Sequence, residues 1–339
     1  MMGLPDFMSV PDPVIAVVIP AYKAEQHLTG VIASISARVQ HIVVVEDCSP
    51  DRTAEVAAAL TDPRIHLVHH TSNQGVGGAM LTGYETAASL GADIMVKMDS
   101  DGQMDPAHLP VLLEPLMRGE ADYVKGNRFM HLRSLKNMPF KRRIGNIGLS
   151  FITKLATGYW SIFDPTNGFT ALRTDVYRLL RQENISRRYF FEISMLLELG
   201  LVRAVVKDVY LPSRYGSETS SLSEWDALVK FPWKLLAGFL RRIMIEYFIR
   251  DFSALSLFLL AGLTGSLFGL VFGISRWYKS FQTGMPTNAG TVMVAVIPFI
   301  LGIQFLLQTV ILDIQNTPRD PIYQAPRETT PSSSPGAGR

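Results

Sequence analysis

Short apolar runs alternate with longer mixed ones along the first two-thirds of the chain. Val14–Pro20 (VIAVVIP), His41–Val45 (HIVVV), Ile65–His69 and Asp93–Met98 (DIMVKM) are rich in β-branched residues and read as strands. The stretches between them, Glu25–Ala37, Thr53–Leu60 and Gly78–Leu90, read as helices. This alternation predicts an α/β domain over 13–222: a Rossmann-like, mostly parallel sheet with helices on both faces. Ligands of such sheets sit beyond the C-terminal ends of the strands. The polar motifs fall there: Pro20-Ala-Tyr22 after the first strand, Glu46-Asp47 after the second, Asp99-Ser-Asp101 after the fourth. No internal repeat is visible.

The pattern changes near the C-terminus. Phe252–Ser275 is 24 residues without a charge, and Ser280–Leu312 is also uncharged, with its apolar part starting near Thr291. At 1.5 Å per residue each would reach about 33–36 Å, enough for a hydrocarbon core of about 30 Å. Two transmembrane helices are therefore predicted over 251–313, with a short loop at 276–290. Buried core helices are the alternative, but those rarely run uncharged past about 18 residues. Phe140–Gly158 sets Ile144, Ile147, Phe151, Ile152 and Leu155 at helical spacing beside Lys141, Arg142 and Arg143. That is the pattern of a helix lying in a membrane surface. The juxtamembrane segment 223–250 is alike, with Trp225, Trp233 and Tyr247 among basic residues. Core packing is the alternative for both.

Lys230, Lys234, Arg241, Arg242 and Arg250 precede the first span, whereas the connecting loop holds only Arg276 and Lys279. The positive-inside rule then puts the catalytic part and both termini in the cytoplasm, at an inner or plasma membrane, or the endoplasmic reticulum in a eukaryote. The N-terminal extension, 1–12, lacks the pattern of a signal peptide. The tail, 314–339, is rich in Pro, Ser and Gly and is expected to be disordered. Composition adds three limits. Charged residues are 18% of the 339, below a typical roughly 25%. A net charge of +2 gives no reason to expect a nucleic-acid partner. A single cysteine, Cys48, cannot form an internal disulfide.

Asp99-Ser100-Asp101-Gly102-Gln103 closes an apolar strand, and Gly102 eases a turn there. Two carboxylates so placed can reach one hard cation, Mn²⁺ or Mg²⁺, with substrate phosphates completing its shell. A solvated turn is the bland alternative. Asp47 could accept hydrogen bonds from a base or ribose, whereas Asp51 reads as a helix cap. Asn73-Gln-Gly75-Val-Gly77-Gly78-Ala79 departs from the dinucleotide fingerprint, because Met80 takes the place of its third glycine. It reads as a tight turn bringing a helix close to the sheet and a diphosphate. Asp164-Pro-Thr-Asn-Gly168-Phe169 is equally readable as a turn.

Together VVIPAY (17–22), VVVEDCSPD (43–51), NQGVGGA (73–79), MDSDGQMDP (98–106), GNRF (126–129), DPTNGF (164–169), FFE (190–192) and RYGSETS (214–220) resemble the GT-A fold, family 2 glycosyltransferases. The membrane-attached polyprenyl-phosphate glycosyltransferases, related to dolichyl-phosphate mannose synthase and the bactoprenol glucosyltransferases, are the nearest match. The resemblance implies that Pro20, Tyr22, Glu25, Asp47, Gly75 and Ser100 help hold a nucleotide-sugar donor. Asp99 and Asp101 would bind metal and diphosphate, with Gln103 beside the metal and the sugar. Arg128, Arg142 and Arg214 would meet the phosphate of a polyprenyl-phosphate acceptor or the donor diphosphate, with Asn146 and Ser220 at the acceptor phosphate. Asp101, Arg128 and Asp164 would carry the chemistry, which is inverting. Three departures stand out: Lys23-Ala24 where relatives have Asn-Glu, Glu46-Asp47 for Asp-Asp, and Ser220-Ser221 for Ser-Lys. A processive polysaccharide synthase is the alternative within enzymes, yet it would want more spans and a QxxRW motif. A non-catalytic scaffold binding nucleotide sugar or lipid is the alternative outside them. The small-residue faces of the two spans permit a homo-oligomer.

Overall fold

The computed structural model describes residues 12–128, 140–211 and 224–323, without the side chains of 140–144, 146 and 224–230. The chain divides into two units, one of 1–144, 162–221 and 319–339, the other of 145–161 and 222–318.

The first unit is built on seven strands: β1 (Ile15–Ala21), β2 (His41–Glu46), β3 (Ile65–His69), β4 (Ile94–Lys97), β5 (Tyr123–Asn127), β6 (Thr170–Arg173) and β7 (Val206–Tyr210). Their order is β3-β2-β1-β4-β6-β5-β7. Only β6 runs antiparallel to its neighbours. Every residue of β1 is buried, as a strand covered on both faces must be. The helices include α1 (Leu28–Ala33), α2 (Thr53–Ala58), α3 (Val76–Ser89) and α4 (Leu109–Met117). The first predicted helix starts three residues late for a local reason. The amides of Lys23, Ala24 and Glu25 are taken by the side chains of Ser49, Thr53 and Asp51. Helix α3 approaches the sheet at Gly83, where a Cβ would lie 2.2 Å from the Val18 side chain.

Register decides which loops meet. Ala21 pairs with Glu46, Val18 with Lys97, and Thr170 with both Lys97 and Lys125. The C-terminal ends of β1, β2, β4 and β5 and the start of β6 therefore share one edge. At the opposite edge Asp122 is fully buried before β5. Its carboxylate accepts the amides of Val205 (2.7 Å), Ile322 (3.0 Å) and Tyr323 (3.2 Å). The Arg173 guanidinium lies 3.2 Å from the Tyr323 ring centroid. The expectation of a disordered tail from 314 is thus corrected for its first part: a buried carboxylate and an arginine give it partners. Asp122→Ala would orphan three amides at about 1–3 kcal/mol in sum if water reaches most of them. The expected result is a lower melting temperature together with faster amide exchange at 322–323.

The second unit is helical: most of α5 (Phe140–Thr157), then α8 (Glu224–Met244), a π-helical turn (Ile245–Arg250), α9 (Ala254–Thr283) and α10 (Ala289–Gln315). The first unit also holds α6 (Thr174–Tyr177) and α7 (Phe191–Leu201). Helices α9 and α10 are each long and apolar enough to cross a membrane, and only 11% of each apolar window is buried, so neither is a core helix. They pair through glycine: a Cβ on Gly302 would meet the Ser266 amide at 2.3 Å, and one on Gly269 the Ala295 carbonyl at 2.6 Å. The small residues that would permit oligomers face the partner helix of the same chain. The predicted 276–290 loop shrinks to 284–288, because nothing breaks α9 before Gly284 adopts a left-handed φ of 66°.

Helix α5 is inverted relative to a soluble helix. Ser150, Thr153 and Thr157 are buried while Ile147, Phe151 and Ile152 are exposed. Arg242 of α8, read from sequence as a flanking charge, is buried. It pairs in bidentate fashion with Asp313 of α10 (2.8 and 3.1 Å) and with Glu246 (3.1 Å). It also donates to the Leu155 and Ala156 carbonyls that end α5. Tyr247 and the Trp160 indole complete the shell of Asp313.

Candidate functional site

The segments after β1, β2, β4 and β5 and the turn before β6 lie at the shared edge. Pro20, buried, is the penultimate residue of β1, and Tyr22, exposed, opens the loop after it. Glu25 of the same loop accepts the Arg52 amide (3.0 Å), so its carboxylate braces the β2 loop. Asp51 accepts from Ser49 and from the Thr53 amide and hydroxyl, one residue ahead of Arg52, which takes the N-cap position of α2 without a side-chain bond, so Asp51 braces the entry to the helix rather than capping it. Burial opposes its ionised form, but these hydrogen bonds prevail and bring its pKa down to about 2.

Asp47 is buried, and its oxygens are engaged within the chain. They accept the Gln74 and Gly75 amides (both 2.8 Å) and meet His70 Nδ1 at 2.7 Å. His70 in turn reaches Thr82. Asp47, expected from sequence at the nucleotide with Gly75, also fixes the 73–75 turn by accepting the Gly75 and Gln74 amides. Gly75 needs no side chain for a second reason. It has φ 83°, and a Cβ would lie 2.8 Å from the Arg187 carbonyl. Gly77 is pressed against Ser186 in the same way. These glycines therefore accommodate the 186–188 segment, and the approach of the helix to the sheet falls to Gly83.

Asp99, Ser100 and Asp101 leave β4 as the sequence predicts. Asp101 Oδ1 accepts the Gln103 amide (2.9 Å), closing a small turn through Gly102, whose φ is 75°. Ser100 is buried and Gln103 exposed. The Asp99 side chain is about one-third exposed. Its Oδ1 receives Lys97 Nζ at 2.6 Å, and its Oδ2 faces Gly168 of the DPTNGF turn. Two carboxylates on one tight turn suit a hard cation. Among the described residues no three His, Cys, Asp or Glu side chains converge on a metal site. A cation here would take two protein carboxylates and draw the rest of its shell from phosphate and water, as Mg²⁺-type sites do.

Arg128 follows β5, and Asp164 opens the turn before β6. Arg128 Nε and Nη2 grip the two Asp164 oxygens at 2.8 Å each. Asp164 is buried with a left-handed φ of 58°. Lys125, also buried, donates to the Phe163 and Asp164 carbonyls and sets that turn. Burial would raise the Asp164 pKa, but Arg128 and Lys125 override it and hold the carboxyl below the usual aspartate range. Arg128 and Asp164 are brought together; the side chains of Arg142 and Asn146, and all of Arg214 and Ser220, lie outside the described residues.

The sequence reading passed over Lys97, Lys125, Glu192 and His70. A signal existed for the lysines: each sits inside an otherwise buried strand, where a cation needs a counter-charge.

A model of glycosyl transferase family 2 matches residues 16–180. The UDP-N-acetylglucosamine–dolichyl-phosphate N-acetylglucosaminyltransferase of Methanococcus voltae is 32% identical over 193 residues, covering 52% of this chain and 76% of the relative. The undecaprenyl-phosphate mannosyltransferase of Micrococcus luteus is 32% identical over 183 residues, covering 52% and 74%. The crystal structure of glucosyl-3-phosphoglycerate synthase from Mycobacterium tuberculosis with Mn²⁺, UDP-glucose and phosphoglyceric acid superposes with a TM-score of 0.51 at 22% identity, over 68% of this chain and 80% of that one. That likeness speaks to the fold alone. The two transferases extend it to sequence at a level that unrelated sheets do not reach, and on those grounds this chain belongs to glycosyl transferase family 2.

Proposed function

We propose that the protein transfers one sugar, with inversion, from a nucleotide-sugar donor to a polyprenyl phosphate at a membrane. The observation that carries this reading is the acidic turn 99–101 at the sheet edge of a chain whose C-terminal helices turn apolar faces outward. The names of the two transferases favour a lipid-phosphate acceptor, and the name of the first favours a UDP-sugar donor.

Asp99 and Asp101 would hold a divalent cation, Mn²⁺ or Mg²⁺. When bound, that ion supplies charge neutralisation for the leaving diphosphate. A phosphate monoester is already largely ionised at pH 7, with a second pKa of about 6, so the acceptor needs little activation by a base. Asp164 fits that requirement: ionised and gripped by Arg128, it orients a guanidinium rather than abstracting a proton. Arg128, with Arg142, Asn146, Arg214 and Ser220, is assigned to the acceptor phosphate, which guanidinium forks bind well. Tyr22, Pro20 and Gln103 are assigned to the donor.

The exposed apolar face of α5 and the exposed Trp233, Leu240 and Met244 of α8 suit a lipid surface. Both termini are assigned to the cytoplasmic side. The docking of residues 322–323 on Asp122 is in keeping with one side for both flanks of the helix pair, and the basic residues before α9 assign that side to the cytoplasm.

The test is a donor screen with the purified protein, undecaprenyl phosphate and UDP- or GDP-sugars in detergent. A UDP-sugar should be consumed only when the lipid is present, with loss on adding EDTA and recovery with Mn²⁺. Polymer formation would favour a processive synthase, and no consumption of any donor a scaffold.

A further inference from the structure

We infer that Lys97 and Glu192 form a positioning clamp that fixes Asp99 for cation binding. The inference deepens the metal-site reading and rests on it. Lys97 ends β4 with its side chain 1% exposed. An ammonium so buried needs opposite charge close by. It has two such groups, Asp99 Oδ1 at 2.6 Å and Glu192 Oε1 at 3.4 Å. Glu192 stands in the first turn of α7, in the FFE motif, and is itself largely buried. A helix nearly a hundred residues away in sequence thus anchors the lysine, and the lysine anchors the first carboxylate of the acidic turn.

The contact also explains Gly168. A Cβ there would lie 2.4 Å from Lys97 Nζ and 3.0 Å from Asp99 Oδ2. A side chain at 168 would have to push the ammonium out of its place under the DPTNGF turn. Three motifs that are far apart in the chain therefore interlock on one side chain. The result is directional: Lys97 occupies Oδ1 while the Gly168 turn lies beside Oδ2, so the plane of the Asp99 carboxylate is set before a cation arrives. Without the clamp the carboxylate rotates about its Cβ–Cγ bond, and that freedom is lost again on binding.

Glu192→Ala removes the anchor, whereas Glu192→Gln keeps an oxygen that can accept from Lys97. Mn²⁺ affinity would be read for the full-length protein by electron paramagnetic resonance of free and bound Mn²⁺, with thermal melts run alongside. The wild type is expected to bind Mn²⁺ in the presence of UDP. Glu192→Ala should weaken that binding at least tenfold below its melting temperature, Glu192→Gln by less than threefold, and Gly168→Ala should resemble Glu192→Ala. If Glu192→Ala folds and binds Mn²⁺ as the wild type does, the clamp is wrong. A lower melting temperature with unchanged affinity likewise reduces Glu192 to a structural residue and overturns the proposal. Failure of the wild type to bind Mn²⁺ at all would instead sink the metal-site reading beneath it.

Discussion

Asp101→Asn is expected to reduce sugar transfer by at least about a hundredfold while leaving the fold intact. The choice of asparagine isolates the charge. Asp101 Oδ1 accepts the Gln103 amide in the turn after β4, and an asparagine oxygen can accept the same bond. What the substitution removes is a negative charge at a site proposed to hold a divalent cation. Preorganised charge at a leaving group is worth about two to three orders of magnitude in rate when one element is lost. Initial rates at saturating Mn²⁺, with a thermal melt as control, check the prediction. A variant with unchanged melting temperature and wild-type rate would refute the metal assignment.

The second large effect concerns stability. Arg242→Ala would leave Asp313 and Glu246 as buried carboxylates without their guanidinium, and would strip the Leu155 and Ala156 carbonyls of a donor. Breaking a buried ion pair by removing one partner costs about 3–5 kcal/mol. The same arginine ties α5, α8 and α10 within one unit, so its loss is not confined to one helix. Unfolding in lipid nanodiscs should show a transition shifted down by well over 5 °C. The double variant Arg242→Met/Asp313→Leu should recover much of that loss, since apolar pairs of similar volume often replace buried ions without penalty.

Patterns of short range were legible in the sequence. β1 and β2 were readable because strands buried on both faces are continuous apolar runs. The two long apolar helices were readable because charge is absent from most of their length. The acidic turn was readable because a strand end in an alternating fold is where ligands sit. Pairings of long range were not. Arg242 and Asp313 are 71 residues apart, and neither betrays the other. Arg242 looked like one more basic flank, and only burial shows it to be a counter-ion. The bracing role of Asp47 was hidden for a related reason: it accepts the amides of Gln74 and Gly75, and backbone donors leave no trace in composition. The antiparallel β6, which carries the 164–169 turn to the same edge as Asp99, likewise follows from pairing rather than from its four residues.

The account turns on whether a lipid phosphate receives a single sugar. Mass spectrometry of the organic extract, after the purified protein is incubated with Mn²⁺, undecaprenyl phosphate and the preferred UDP-sugar, measures this directly. The expected result is one new species, heavier than the lipid phosphate by one glycosyl residue and absent from the Asp101→Asn reaction. A ladder of heavier species, or an unmodified lipid with every donor tried, would contradict it.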